Sequence, residues 1–191
     1  MTTLSLAYAD LVHDLPRPLT PDLVGQALLD AAADHYRREW ADSCLVEFTM
    51  QTATYLYDTA GADSSRAERT VAAWAVTPHD IASRDVSYQR GFPLPPSPDG
   101  TPTDRGHLIP HLSGGEFGPN IFPQHRPLNR GWSVQGKRFR ALEREASAAC
   151  TFYFGHLLYE DESDFPASIE TGVLRGSTLH VECFRNRPPF G

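Results

Sequence analysis

The sequence predicts an α+β domain in which helices pack on antiparallel sheet, and three observations carry that prediction. A helix-patterned segment with clear end signals occupies residues 20–40. β-rich runs separated by a polar turn follow it. A second helix-patterned segment then precedes three more β-rich runs, so helices and strands come in blocks. Strict strand–helix alternation, which builds a parallel sheet, is absent.

LTPDLVGQALLDAAADHYRREW reads as a helix capped by Thr20, with Pro21 at the first helical position and Asp22 at the positive end of the dipole. Leu23, Ala27, Leu28 and Ala31 recur at helical spacing, and Arg37 and Arg38 lie near the C-terminal end. From Ser43 the pattern turns β-rich: CLVEFTMQTATYLY alternates in part, as a strand does. DTAGADSSRAE is a turn or loop and RTVAAWAV a second strand, so the two runs are expected to form a hairpin. Residues 78–102 are irregular, because GFPLPPSPDGTP suits neither a helix nor a central strand. GWSVQGKRFRALEREASAA is the second helix, with Ser133 as its cap and Phe139, Leu142 and Ala146 on one face. CTFYFGHLLY, SIETGVLRG and STLHVECFRN are strands joined by short polar turns.

With 191 residues, the chain is read as one domain, 1–191, with a helical N-terminal extension over 1–42. The 40% hydrophobic and 21% charged fractions are those of a globular protein, and no run approaches the roughly 18 apolar residues of a membrane helix. The first residues lack a basic segment, an apolar core and a cleavage site. A cytoplasmic protein is therefore expected, with export by another route left open, and no membrane partner. Cys44, Cys150 and Cys183 are odd in number and widely spaced, which excludes a disulfide framework and a zinc knuckle and suggests buried structural thiols. A net charge of −7 counts against a globally basic nucleic-acid surface, so any such function must rest on a local site.

The residues that carry chemistry lie in the middle. Hydrolysing a phosphodiester takes a base for water, a cation to hold the phosphate and a metal ion to stabilise the leaving oxygen. His107, with an ordinary pKa of about 6.5, can accept a proton near neutrality. Arg105 offers a planar fork of donors to phosphate oxygens, and Asn129 a neutral oxygen to a hard cation.

DRGHLIP, then SGGEFGPNIFPQHRPLNRGW, then a helix containing LERE resembles the DNA/RNA non-specific endonucleases of the ββα-metal, or His-Me finger, class. Asp104, Arg105, Gly106 and His107 match the family's DRGH element; Asn120, Pro123 and Gln124 match N-x-x-P-Q; Leu128, Asn129 and Gly131 match L-N-x-G. The resemblance implies a ββα-metal motif within residues 103–147, with His107 as general base. Asn129, at the start of the following helix, would be the protein ligand of one Mg²⁺ (or Mn²⁺). Arg105 would contact phosphate, and Gly106 would permit close backbone approach beside the base. A glutamate that orders metal-bound water falls later than in the family pattern. Glu143 is the choice, Glu145 the alternative, and Gln135 a further substitute. Arg84 and Arg90 are both open as the upstream phosphate-binding arginine, with Arg140 and Arg144 as further candidates on the helix.

Other residues read more plainly. Asn120 and Gln124 are expected to brace the loop through backbone hydrogen bonds, with Asp104 also in support. His111 and His125 match no zinc spacing and are taken as peripheral, His156 as a satisfied structural histidine. Trp40, Trp74 and Trp132 are expected in the core, although an exposed Trp132 would suit stacking on a base. The functional expectation is a metal-dependent endonuclease cutting DNA with low sequence specificity, with RNA left open as a further substrate. A toxin or defence effector held by an inhibitor or immunity protein is one version of it. The competing expectation is a non-catalytic nucleic-acid- or protein-binding domain on the same scaffold. Oligomeric state is not legible in the sequence.

Overall fold

The computed structural model describes residues 4–62, 64–79, 94, 97 and 100–187. It is an α+β fold with a six-stranded antiparallel sheet, helices on both of its faces, and a separate two-stranded sheet. Among the described residues no helix is long and apolar enough to cross a membrane.

The N-terminal 42 residues hold two helices, α1 (Tyr8–His13) and α2 (Pro21–Glu39), where the sequence suggests one. Thr20 caps α2 as expected, its hydroxyl accepting from the Leu23 amide at 3.3 Å. The buried face is shifted by about one residue, to Val24, Leu28, Leu29, Ala32 and Tyr36, leaving Leu23, Ala27 and Ala31 half-buried. Both helices contribute to the same core as the sheet.

The run after Ser43 is two strands, not one. β1 (Leu45–Met50) turns at Gln51 and Thr52 into β2 (Ala53–Asp58), with Met50 paired to Ala53. Gln51 takes a φ of 57°, so a non-glycine residue makes the left-handed turn that composition did not advertise. β3 (Arg69–Val76) pairs with β2, and the two-stranded sheet follows as β4 (Thr103–His107) and β5 (Ile121–His125). Next come the short helix α3 (Arg126–Asn129) and α4 (Val134–Ala146). Strands β6 (Phe152–Leu158), β7 (Ser168–Arg175) and β8 (Thr178–Arg185) complete the large sheet in the order β1-β2-β3-β6-β7-β8.

Alternation along the strands sends neighbouring side chains to opposite faces. Trp74 and Phe154, paired across β3 and β6, share the face that α1 and α2 cover. Gly155 and Leu157 turn to the other face, where Leu108 just after β4 and Phe139 of α4 pack. On the helix-covered face Ser5 and Tyr8 hydrogen-bond to Glu170, and Tyr8 also lies 3.0 Å from Nδ1 of His156. Glu170 and His156 are wholly buried. Burial alone would raise the Glu170 pKa, but hydrogen bonds from His156, Ser5 and Tyr8 hold it below the usual carboxylate value. His156, expected to be satisfied, bonds through Nδ1 only; its Nε2 makes no hydrogen bond among the described residues. The thiols differ from expectation too: all three are free, with Cys44 and Cys150 exposed and Cys183 intermediate.

Gly25 of α2 faces the Trp74 ring, and a Cβ there would lie 2.3 Å from Cε2. Alanine would favour the helix by about 1 kcal/mol over glycine, but overpacking costs about 1–3 kcal/mol. Gly25→Ala is therefore expected to destabilise the protein, read as a lower urea midpoint at unchanged slope. A higher midpoint would mean that Trp74 does not hold α2 at this distance.

Candidate active site

Arg105 and His107 alternate to the same side of β4, and Asp104 and Gly106 to the other. A Cβ at Gly106 would meet Gln124 Cβ at 2.7 Å and Phe122 Cζ at 2.9 Å, so the room it leaves is filled by side chains of β5. The close approach that Gly106 permits beside the base is thus to the neighbouring strand β5. Gln124 is 1% exposed, and its amide makes no hydrogen bond among the described residues. It acts by packing and not as the backbone brace expected of it.

Asn120 is the brace. Its Oδ1 accepts from the Ile109 amide at 2.7 Å, and its Nδ2 donates to the carbonyls of Ile109 (3.0 Å) and Glu116 (2.8 Å). Its own carbonyl accepts from Leu108 N at 2.9 Å. The chain leaving His107 is thereby fixed at two successive residues.

Asp104 ties β4 to the next segment. Its carboxylate accepts from Arg126 Nε at 3.0 Å and from Arg130 Nε at 2.6 Å, one guanidinium on either side of Asn129. Partial burial would raise its pKa, but the hydrogen bonds from Arg130 and Arg126 outweigh that and lower it. From the other direction α4 presses on α3: Ser133 caps α4 by accepting from Gly136 N at 2.9 Å. A Cβ on Gly136 would lie 2.5 Å from the Pro127 carbonyl oxygen. Asn129 therefore ends the short helix α3, four residues before Ser133 begins α4, and is positioned from both strand and helix.

These elements enclose an open cleft of about 620 Å³. His107 and Arg105 enter it from β4, Asn129 from the end of α3, and Arg140 and Glu143 from α4. Glu143 is 15% exposed at its side chain. Arg140 Nη1 lies 3.1 Å from its Oε2, yet that oxygen makes no hydrogen bond among the described residues. Burial pushes the Glu143 pKa up to about 7, against the opposing pull of Arg140 and Arg144.

The alternatives to Glu143 lie elsewhere. Glu145 is paired with Arg175 at 2.6 and 2.5 Å, and Gln135 accepts from the Arg185 amide at 3.2 Å beside a different hollow. Arg84 and Arg90 lie outside the described residues. His125 is part of the hollow beside Gln135. His111, read from sequence as peripheral, instead lines the cleft, carried there by the short 3₁₀ turn His111–Ser113. Arg130, Leu112 and Ser147 also line it and were not singled out from sequence. A signal for Ser147 did exist: residues 140, 143, 144 and 147 recur at helical spacing beside the apolar set Phe139, Leu142 and Ala146.

Arg105, Arg130, Arg140 and Arg144 make the cleft locally cationic in a chain of net charge −7. Among the described residues no three His, Cys, Asp or Glu side chains form a group that could by itself hold a metal ion. The oxygen donors that line the cleft include the Asn129 amide and the Glu143 carboxylate, whose buried Oε2 lies 3.1 Å from Arg140 Nη1. That set fits a hard cation that keeps most of its coordination for water and phosphate, as Mg²⁺ does. No family model matches the chain, and no curated protein matches it.

Two outcomes follow from the carboxylates. Asp104 has a lowered folded-state pKa, so it stabilises the fold fully above the unfolded value of about 3.9 and progressively less as pH falls through the folded value. In urea melts, Asp104→Asn should be less stable than wild type at pH 7, with the gap closing in acid; a gap independent of pH would rule out the charged clamp. Glu143 has a raised pKa, so its ionisation destabilises the fold as pH rises from about 4.3 toward 7. Glu143→Gln should gain in Tm on wild type between pH 5 and pH 8 (roughly the limits of that titration). A Tm difference that stays constant or shrinks with pH would contradict a buried carboxylate.

Proposed function

We propose that this protein is a metal-dependent endonuclease of the ββα-metal (His-Me finger) class, similar to the DNA/RNA non-specific endonucleases, using one Mg²⁺ (or Mn²⁺). The observation that carries the proposal is the convergence of His107, Arg105, Asn129 and Glu143 on one cationic cleft from β4, α3 and α4. In this reading β4, β5 and the helical segment after them are the ββα-metal motif.

Arg105 holds the scissile phosphate with its guanidinium donors. The neutral His107 imidazole takes a proton from water as the water oxygen attacks phosphorus in line, opposite the 3′-oxygen. The P–O3′ bond breaks, the 3′-oxygen leaves with the bond pair and takes a proton from solvent, and the new phosphate stays on the 5′ side. Asn129 would hold the divalent cation, which would supply Lewis-acid stabilisation of the charge that develops in the displacement. Glu143 accepts hydrogen bonds from water in the cleft and so orients it. Arg140 and Arg144 add positive potential where the polyanion lies. No covalent intermediate is required. The substrate is DNA, with RNA as the open second substrate, cut with low sequence specificity because contacts to phosphate carry little sequence information.

The test is cleavage of plasmid DNA and of RNA in Mg²⁺, Mn²⁺ or EDTA. EDTA should abolish cleavage, and His107→Ala should reduce it about a hundredfold or more, as for loss of a general base. Asn129→Ala should raise the Mg²⁺ concentration needed for half-maximal rate. Cleavage that persists in EDTA, or in the His107 variant, overturns the mechanism. Failure to cut any substrate in any metal ion would favour a non-catalytic binding domain.

A further inference from the structure

Trp132, expected in the core, instead stands 63% exposed beside the cleft. It does not hang loosely there. Its amide donates to the Pro127 carbonyl at 2.9 Å, and Ser133 beside it caps α4. The Arg130 guanidinium lies 5.2 Å from the ring centroid, close enough for cation–π attraction. Arg130 is itself fixed by Asp104. An indole held at its backbone and beside a clamped cation is a preset surface, and an exposed one.

Arg130 also lines a second hollow next to the cleft, of about 180 Å³, with Lys137, Arg140 and Arg144. Those three lie at i, i+3 and i+7 of α4 and are exposed, so they form one cationic stripe that begins in the cleft with Arg144 and Arg140 and continues to Lys137. A row of cations beside an exposed aromatic ring is the chemistry that takes a nucleic-acid strand: phosphates along the charges, a base on the ring. Bases in a duplex already stack on one another and present only their edges in the grooves. Only an unpaired base can lie flat against Trp132.

We propose that Trp132 is a base-stacking platform and that the preferred substrate is single-stranded nucleic acid, its backbone running along Lys137, Arg140 and Arg144. The proposal rests on the nuclease reading of the adjoining cleft. Stacking needs only a π face, so the site selects an unpaired strand without selecting its sequence.

The test is fluorescence anisotropy in EDTA, so that binding is read without turnover. The probes are a short deoxythymidine homopolymer, the matching uridine homopolymer, and a DNA duplex of the same length. Wild-type protein should bind single strands more tightly than duplex. Trp132→Ala should weaken single-strand binding about tenfold and leave the duplex nearly unchanged, while Trp132→Phe keeps most of the affinity. Trp132-dependent binding of either homopolymer supports the proposal and identifies the sugar it accepts. Equal losses on single strand and duplex, no loss at all, or no binding to any probe overturns it. Mg²⁺-dependent cleavage of single-stranded DNA, single-stranded RNA and plasmid, with His107→Ala as control, reads the nuclease assignment separately. Cleavage without Trp132-dependent binding rejects the platform alone; Trp132-dependent binding without cleavage rejects the nuclease alone.

Discussion

The candidate site depends on how closely Leu108 approaches Gly155. A Cβ at Gly155 would lie 2.5 Å from Leu108 Cδ1, so the leucine occupies room that any other residue in the middle of β6 would fill. Leu108 follows His107 directly, and its burial sets where β4 can end. Ile109, also fully buried, and the Asn120 side chain then fix the next peptide. The Thr70 hydroxyl of β3 donates to the Pro119 carbonyl and ties the other end of the connection to the large sheet. Position is thus handed from sheet to histidine through packed, hydrogen-bonded neighbours, without a flexible link.

Charge is organised on the same frame. Two carboxylates contact cations that line the cleft, Asp104 from behind β4 and Glu143 from within the cleft, and their environments push them in opposite directions. Asp104, between two guanidiniums, is held ionised and works as a strut for α3. At Glu143 burial prevails over its arginine neighbours. A carboxyl whose pKa burial raises to about 7 is costly for a fold and uncommon away from functional sites. The helix that places it there also buries Phe139, Leu142 and Ala146, whose packing offsets that cost.

Much of this was legible in the chain. Thr20 and Ser133 announced their helices because a hydroxyl at the N-cap is a local signal that needs no tertiary context. The β-rich runs announced strands by composition, but not the turn at Gln51–Thr52, where no glycine, proline or asparagine marks the reversal. The short helix α1 passed unnoticed because six residues are too few for periodicity to register. Within the site, residue types and spacing singled out Arg105, His107 and Asn129. Choosing among Glu143, Glu145 and Gln135 required knowing which face of α4 meets β8 and which meets the cleft. Phe139 against Phe184 decides that, across a sequence gap that no local pattern spans. His111 and Trp132 went astray for the same reason: exposure at a cleft is a property of the assembled fold.

The cluster around Glu170 concerns time as well as stability. Ser5 and Glu170 are separated by 165 positions and Tyr8 and His156 by 148, so contacts of the first helix must wait for nearly the whole chain. Contacts of such separation are slow to close, because loop entropy is lost before any interaction rewards it. During synthesis, α1 is made well before β7 and finds its buried partners only after β7 has been made. The helix is thus made early relative to its partners and secured late. Glu170 waits, without its Ser5 and Tyr8 donors, until α1 settles on the sheet.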